Sequence, residues 1–293
     1  MSLEDITTFL SSIKTGGSGG DAQVCRFSRP HKEVIAERKY PSSTAVEFDL
    51  YALPGLPPDK SQVMETEFFK PIDDAASKAL LFLESGAQND AWSPQQRTAW
   101  SRFIMAQLMR TPEDVSRIKS LFAKQWRELD PQKLADRLGW SIERVREERL
   151  ESSPEEMERG ALNLLRSAID HRNVIGVINN MFWSTVELSP HRSHTLMTSD
   201  RPVWQSDPLG VSDAMLLMPI GPTRLFLARN SKIQLAAEPE LVKAVNNIVV
   251  SHAKRFVIAD DDSQRRFVKN RMGTKPFPST IDLLARHWER EAR

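Results

Sequence analysis

Apolar residues recur at three- and four-residue spacing from about residue 65 to residue 180, the period of helices that each bury one stripe. The helix starts are signalled repeatedly. Ser93-Pro94-Gln95-Gln96 offers an N-cap hydroxyl, a proline at the first helical position and a glutamine at the third. Thr111-Pro112-Glu113-Asp114 and Asp130-Pro131 repeat the signal, and Ser153-Pro154-Glu155-Glu156 spells a capping box. Proline at that position gives up only an N–H that has no intrahelical acceptor. The spacing predicts helices near 65–85, 94–110, 112–129, 131–138, 141–150 and 154–180, with Pro71 kinking or splitting the first.

On either side the pattern shortens toward alternation. Gln23–Phe27 and Glu33–Arg38 read as strands around a turn at His31, and Ala52–Lys60 is a proline-rich loop. After Asn180, strands are expected at Phe182–Leu188, His194–Ser199, Ala214–Ile220 and Arg224–Arg229, with Gly221-Pro222 turning between the last two. A helix from Pro239 to about Ala253, a strand at Arg255–Ala259, a short helix after Asp262-Ser263 and a final helix from about Thr280 complete the chain. Strands at both ends of a helical middle predict a predominantly helical α+β fold, its helices packed on a small, mostly antiparallel sheet formed from N- and C-terminal segments. Gly16–Gly20, GGSGG, reads as a flexible linker after a short amphipathic piece. Residues 1–20 are therefore expected to stand apart from a single domain at 21–293.

Composition adds bounds. Of 293 residues, 40% are hydrophobic and 27% charged, which excludes a disordered chain, and 40 basic against 39 acidic residues leave a net charge of +1. A chain-wide nucleic-acid footprint is excluded, and only a local basic patch could serve that purpose. The lone cysteine, Cys25, forbids an intramolecular disulfide and suits a reducing, cytoplasmic setting, where it reads as a small buried hydrophobe. No run approaches the roughly 18 apolar residues of a membrane helix, and the first residues carry no basic start or long apolar centre of a signal peptide.

The common chemical motifs GxxxxGK, GxGxxG, HExxH and CxxC do not occur. His191 and His194 have the spacing of two metal ligands but no companion motif, and read as a polar turn. Asp260-Asp261-Asp262 lacks the alternating ligands of a calcium loop and reads as a cap for the helix that follows. No metal site is expected, and the sequence leaves any cofactor unknown. The most basic stretch carries Lys254, Arg255, Arg265, Arg266, Lys269 and Arg271, an opening for phosphate contact or simply a solvated helix face.

More informative is polarity on predicted core faces. Gln107 falls on the stripe of Trp100, Phe103, Ile104 and Leu108. Arg110 ends that helix, where it either complements the dipole or turns inward to clamp an anion. Glu67 lies beside Phe68 and Phe69 and would want a cationic partner such as Arg110. Asp200 follows a strand, placed either for function or for a local turn. Asn246 and Asn247 interrupt an amphipathic helix, so at least one must lie near its apolar edge.

These blocks together carry a resemblance. METEFFKPIDDAASKAL, QRTAWSRFIMAQLMRTP, HTLMTSDRPVW, AMLLMPIGPTRLFLA and NNIVVSHAKRFVIA, in that order, with VEFDLYAL ahead of them, resemble the bacterial family catalogued as domain of unknown function 4238, from about Gln23 to Gly273. The family brings no established activity. The resemblance implies a compact domain with recurrent polar positions at Glu67, Gln107, Arg110, Ser199, Asp200 and Asn247. The chain departs from the family's opening His-x-x-Pro block, which His31, preceded by Pro30, does not restore. One expectation is an enzyme on a phosphate-bearing or nucleic-acid substrate, with Glu67, Arg110 and Asp200 catalytic and Gln107, Ser199 and Asn247 binding. The alternative is a non-catalytic interaction or sensing module, favoured by an exposed patch around Trp92, Trp126, Trp140 or Trp204.

Overall fold

A computed structural model describes residues 23–40, 43–44, 50–86, 91–189, 194–206, 208–231, 235–277 and 279–282. The expected linker at Gly16–Gly20, the amphipathic piece before it, His191 and nearly all of the final helix lie outside the described residues. The described residues fall into two compact units. One draws on Met1–Glu47, Ile72–Leu108 and His171–Phe277, the other on Phe48–Pro71, Met109–Asp170 and Pro278–Arg293.

The first unit holds the strands. β1 (Val24–Ser28) pairs with β2 (Ile35–Lys39) as an antiparallel hairpin, with Phe27 opposite Ala36. β1 also pairs with β8 (Phe256–Ala259), and β8 takes the two-residue β4 (Thr198–Ser199) on its other edge, giving the order β2-β1-β8-β4. This is the expected sheet joining N- and C-terminal segments. A second antiparallel sheet, ordered β3-β7-β6-β5, is added to it from Phe182–Glu187, Arg224–Arg229, Met215–Gly221 and Trp204–Gln205. Only Thr198 and Ser199 of the expected 194–199 strand pair in the sheet, and β5 was not signalled. Strands of two residues are too short for alternation to show.

Helices α2 (Lys70–Glu84), α3 (Pro94–Met109), α8 (Arg172–Asn180), α9 (Glu238–His252) and α10 (Arg265–Arg271) also contribute to this unit. Ser93 and Gln96 bond reciprocally at the start of α3, as their spacing predicts: the Ser93 N–H donates to Gln96 Oε1 at 2.9 Å and the Gln96 N–H to Ser93 Oγ at 3.2 Å. Helix α9 is central. Its Val242, Val245 and Val249 pack on Leu217, Leu225 and Leu227 of the second sheet. Its Val250 packs with Met197, just before β4, with Val257 of β8 and with Val268 of α10. Burying each such side chain stabilises by roughly 1.5–3 kcal/mol, so α9 and α10 are both anchored by their inner faces.

The second unit opens with α1 (Pro58–Ser61) and a π-helical turn, Met64–Phe69, that runs directly into α2. The irregularity expected from Pro71 thus sits one turn earlier, where the proline ring of residue 71 would meet the carbonyl of residue 67. Helices α4 (Pro112–Glu128), α5 (Pro131–Leu138), α6 (Ile142–Glu151) and α7 (Pro154–Ile169) follow, capped by Thr111, Asp130, Ser141 and the Ser153/Glu156 capping box. The expected 154–180 helix is two, broken at Asp170 and His171. Gly160 of α7 lies close to Phe122 of α4: a Cβ there would come within 2.5 Å of the ring Cζ, so the ring would have to shift. Leu134, Ala135 and Val145 form a small core with Trp126, Leu129 and Trp140.

Among the described residues, no helix is long and apolar enough to cross a membrane.

Candidate functional site: a cationic cleft

The six polar positions singled out above divide between the two units. Glu67 and Arg110 belong to the second; Gln107, Ser199, Asp200 and Asn247 belong to the first. Glu67 is exposed on the π-helical turn. Arg110 turns inward: its side chain is buried, its guanidinium lies 5.8 Å from the Phe69 ring centroid, and its carbonyl accepts from the Tyr51 hydroxyl at 2.6 Å. Burial alone pushes its pKa down to about 9, because a low-dielectric site disfavours the charged form. Gln107 is buried and its Nε2 has no hydrogen-bond partner among the described residues.

Ser199 and Asp200 hold backbone. Ser199 Oγ accepts from the Arg201 N–H at 3.1 Å, closing a local turn. The Asp200 carboxylate accepts from the Lys254 N–H at 3.1 Å and the Phe256 N–H at 3.4 Å, fixing the entry to β8. Burial raises its pKa, against the opposing pull of the backbone donors at 254–256 and of Arg201. The turn is not the local one that the sequence suggested, for its donors lie more than fifty residues downstream.

The asparagine pair is resolved clearly. Asn246 is the buried member, with Oδ1 accepting from the Met197 N–H at 2.9 Å and Nδ2 donating to the Thr195 carbonyl at 2.8 Å. Asn247 is half-buried, and its Oδ1 accepts from Arg271 Nε at 3.0 Å. Arg271 is held a second time by its guanidinium stacking 4.2 Å from the Phe267 ring centroid.

That pinned arginine lines a cleft of about 660 Å³ in the first unit, between α9 and α10. α9 supplies Glu240, Val242, Lys243 and Asn246; α10 supplies Arg266, Phe267, Asn270 and Arg271, with His194 and Gln264 also lining it. The charge arrangement follows from helical period. Arg266 and Asn270, and Phe267 and Arg271, are two i,i+4 pairs on the cleft side. Arg265 and Lys269 form a third pair on a different face. There Arg265 Nη2 donates to the Val34 carbonyl at 3.4 Å and Lys269 pairs with Glu33 at 3.0 Å. The basic run is therefore two separate faces rather than one stripe, and only Arg266 and Arg271 of its six named cations line the cleft. Lys243, which the reading of the run missed, completes a set of three cations against one acid, Glu240. No signal short of the three-dimensional packing of α9 against α10 could have joined it to them.

The aspartates before α10 cap a turn rather than the helix: Asp261 Oδ1 accepts from the Ser263 N–H at 3.0 Å and from its hydroxyl at 2.6 Å, and α10 starts at Arg265 without a side-chain cap. No cluster of three or more metal-ligating side chains occurs among the described residues. Trp92 is buried and Trp126, Trp140 and Trp204 are half-buried, so none forms an exposed aromatic patch.

Comparison with known proteins places the chain in a family. Residues 8–263 match the family described as protein of unknown function (DUF4238), and the chain belongs to it. The match takes in the Gly/Ser run and half of the piece that precedes it. No curated protein and no solved structure matches.

Proposed function

We propose that this protein binds a phosphate-bearing ligand in the cleft between α9 and α10, in a cytoplasmic setting. The observation that carries the reading is Arg271. Its Nε is occupied by Asn247 and its face by Phe267, which leaves the Nη edge as the part free to meet a ligand. A planar fork held in one orientation loses little entropy on binding and matches two oxygens of a phosphate or carboxylate. Arg266 and Lys243, both exposed at the same cleft, supply further positive charge. A polymeric nucleic acid fits less well, because Arg265 and Lys269 face elsewhere and Lys269 is already paired. The reading is of a binding site rather than a reaction centre, since Ser199 and Asp200 are engaged by backbone. The buried Cys25, whose pKa burial raises to about 11, accords with a reducing compartment.

Isothermal titration with inorganic pyrophosphate at low salt tests it. Binding should be saturable and should fall at least tenfold in a Lys243→Gln/Arg266→Gln double variant of unchanged stability. Equal affinity in that variant would show that the anion binds elsewhere.

A further inference from the structure

The cleft holds more than charge. Its volume, about 660 Å³, lies in the range of roughly 300–1,000 Å³ that accepts drug-sized organic ligands. A phosphate ion has five heavy atoms, and at the roughly 30 Å³ that one water occupies it would fill only a small part. The remaining walls have their own chemistry. Phe267 is half-buried: it packs on the first-sheet core while still lining the cleft. Val242 and Pro239 stand in the lining with it. Gln264 Nε2 donates to the Thr195 carbonyl at 3.3 Å, while Asn270 is exposed at the cleft with its amide available for exchange with solvent or ligand. An inorganic anion would meet the cations and leave this apolar wall and the Asn270 amide facing water. An aromatic body attached to the phosphate would bury the wall, and ring-shaped ligands with polar edges would meet the amide.

We infer that the ligand is a phosphomonoester with an aromatic body of about mononucleotide size, its phosphate at the Arg271 fork and its ring against Phe267 and Val242. This rests on the anion-binding reading above and adds the class of molecule. The Phe267–Arg271 stack gives it a physical basis. The guanidinium covers part of the ring and continues it as a flat surface, and both groups accept planar partners. Association through this site is saturable at one ligand per chain and does not extend along a polymer.

The experiment compares inorganic phosphate, adenosine 5′-monophosphate, phenyl phosphate and adenosine by isothermal titration on the full chain, with Phe267→Leu as the variant that keeps an apolar side chain in the core. Either monoester should bind at least tenfold more tightly than inorganic phosphate, and adenosine more weakly than its monophosphate. Phe267→Leu removes the ring together with one support of Arg271, so it should weaken the monoesters more than inorganic phosphate and bring their affinities together; equal losses for both would place the aromatic body elsewhere, and circular dichroism and thermal melting check that the variant is folded. Monoesters within threefold of inorganic phosphate overturn the inference and leave the anion site standing. Adenosine equal to its monophosphate overturns the placement of the phosphate at the arginine fork. Absence of binding by all four overturns the anion reading as well. Should Phe267→Leu not fold, Asn270→Ala, exposed and on the same face, must weaken adenosine 5′-monophosphate and not inorganic phosphate.

Discussion

Replacing Asp200 by alanine removes the acceptor for the Lys254 and Phe256 N–H groups, bonded at 3.1 and 3.4 Å. The Phe256 amide is buried, and a buried donor left without an acceptor costs about 1–3 kcal/mol. The Lys254 amide lies at a half-buried position and recovers part of its loss from water, leaving a cost of about 0.5–1 kcal/mol. Against these stands the relief of a buried carboxylate: desolvation raises its pKa, and removing the group offsets part of the loss. The net expectation for Asp200→Ala is a loss of about 2 kcal/mol in urea unfolding, with faster hydrogen exchange confined to residues 254–256. Asp200→Asn keeps an acceptor of the same shape and should lose less than about 1 kcal/mol. The sign of the pH dependence follows from the direction of the pKa change. A raised carboxyl pKa means that the folded state binds the proton more tightly than the unfolded chain. The contribution of Asp200 is therefore greatest below the ordinary carboxylate value and falls as pH rises through the folded pKa. The stability margin of the wild type over Asp200→Asn should shrink from acid toward neutral pH. An alanine variant within about 0.5 kcal/mol of wild type, less than a single lost hydrogen bond is worth, or a margin that widens with pH, would refute this account of the β8 entry.

Three further outcomes follow from the same geometry. Asn247→Ala frees Arg271 Nε and should weaken pyrophosphate binding about three- to tenfold, the worth of one charge-assisted bond partly retained, with a melting temperature close to wild type; unchanged affinity would remove Asn247 from the site. Asn246→Ala breaks two bonds to the 195–197 segment, at 2.9 and 2.8 Å, and should cost about 2–4 kcal/mol in urea unfolding, so a loss below about 1 kcal/mol would contradict its anchoring role. Cys25, buried and with its pKa raised to about 11, should have about one thiolate in a thousand at pH 8 and react with a disulfide reagent only at the rate of unfolding. Prompt reaction in the native protein would contradict its burial.

Local chemistry was legible in the sequence where it acts locally. Prolines at the first helical position, with Ser93, Thr111, Asp130 and Ser153 before them, fixed the starts of four helices to the residue, because a cap and its amide lie within three positions of each other. The break at Asp170 and His171 was passed over because no glycine or proline marks it, although four polar residues, Asp170 to Asn173, interrupt the apolar spacing between Ile169 and Val174. The two shortest strands were hidden for a different reason: β4 on the first sheet and β5 on the second are two residues each, too short for alternation to show, and are defined by pairing with β8 and β6. The resemblance drew attention to Asp200 and Asn247, but not to their bonding partners. Asp200 binds amides more than fifty residues away, and Asn247 bonds Arg271. The cleft was half visible. The basic run was evident, and its i,i+4 spacing already separates Arg265 and Lys269 from Arg266 and Asn270. Lys243 joins the site only because Val250 and Val268 bring α9 and α10 into one core.

The central claim is that the α9–α10 cleft is where an anion binds. Backbone amide chemical shifts followed during titration with inorganic phosphate test it most directly. Saturable shifts concentrated at Lys243, Arg266, Asn270 and Arg271, abolished in the Lys243→Gln/Arg266→Gln variant, are the predicted result. Shifts gathered instead around Glu33, Arg265 and Lys269, or spread over every basic surface residue without saturation, would contradict it.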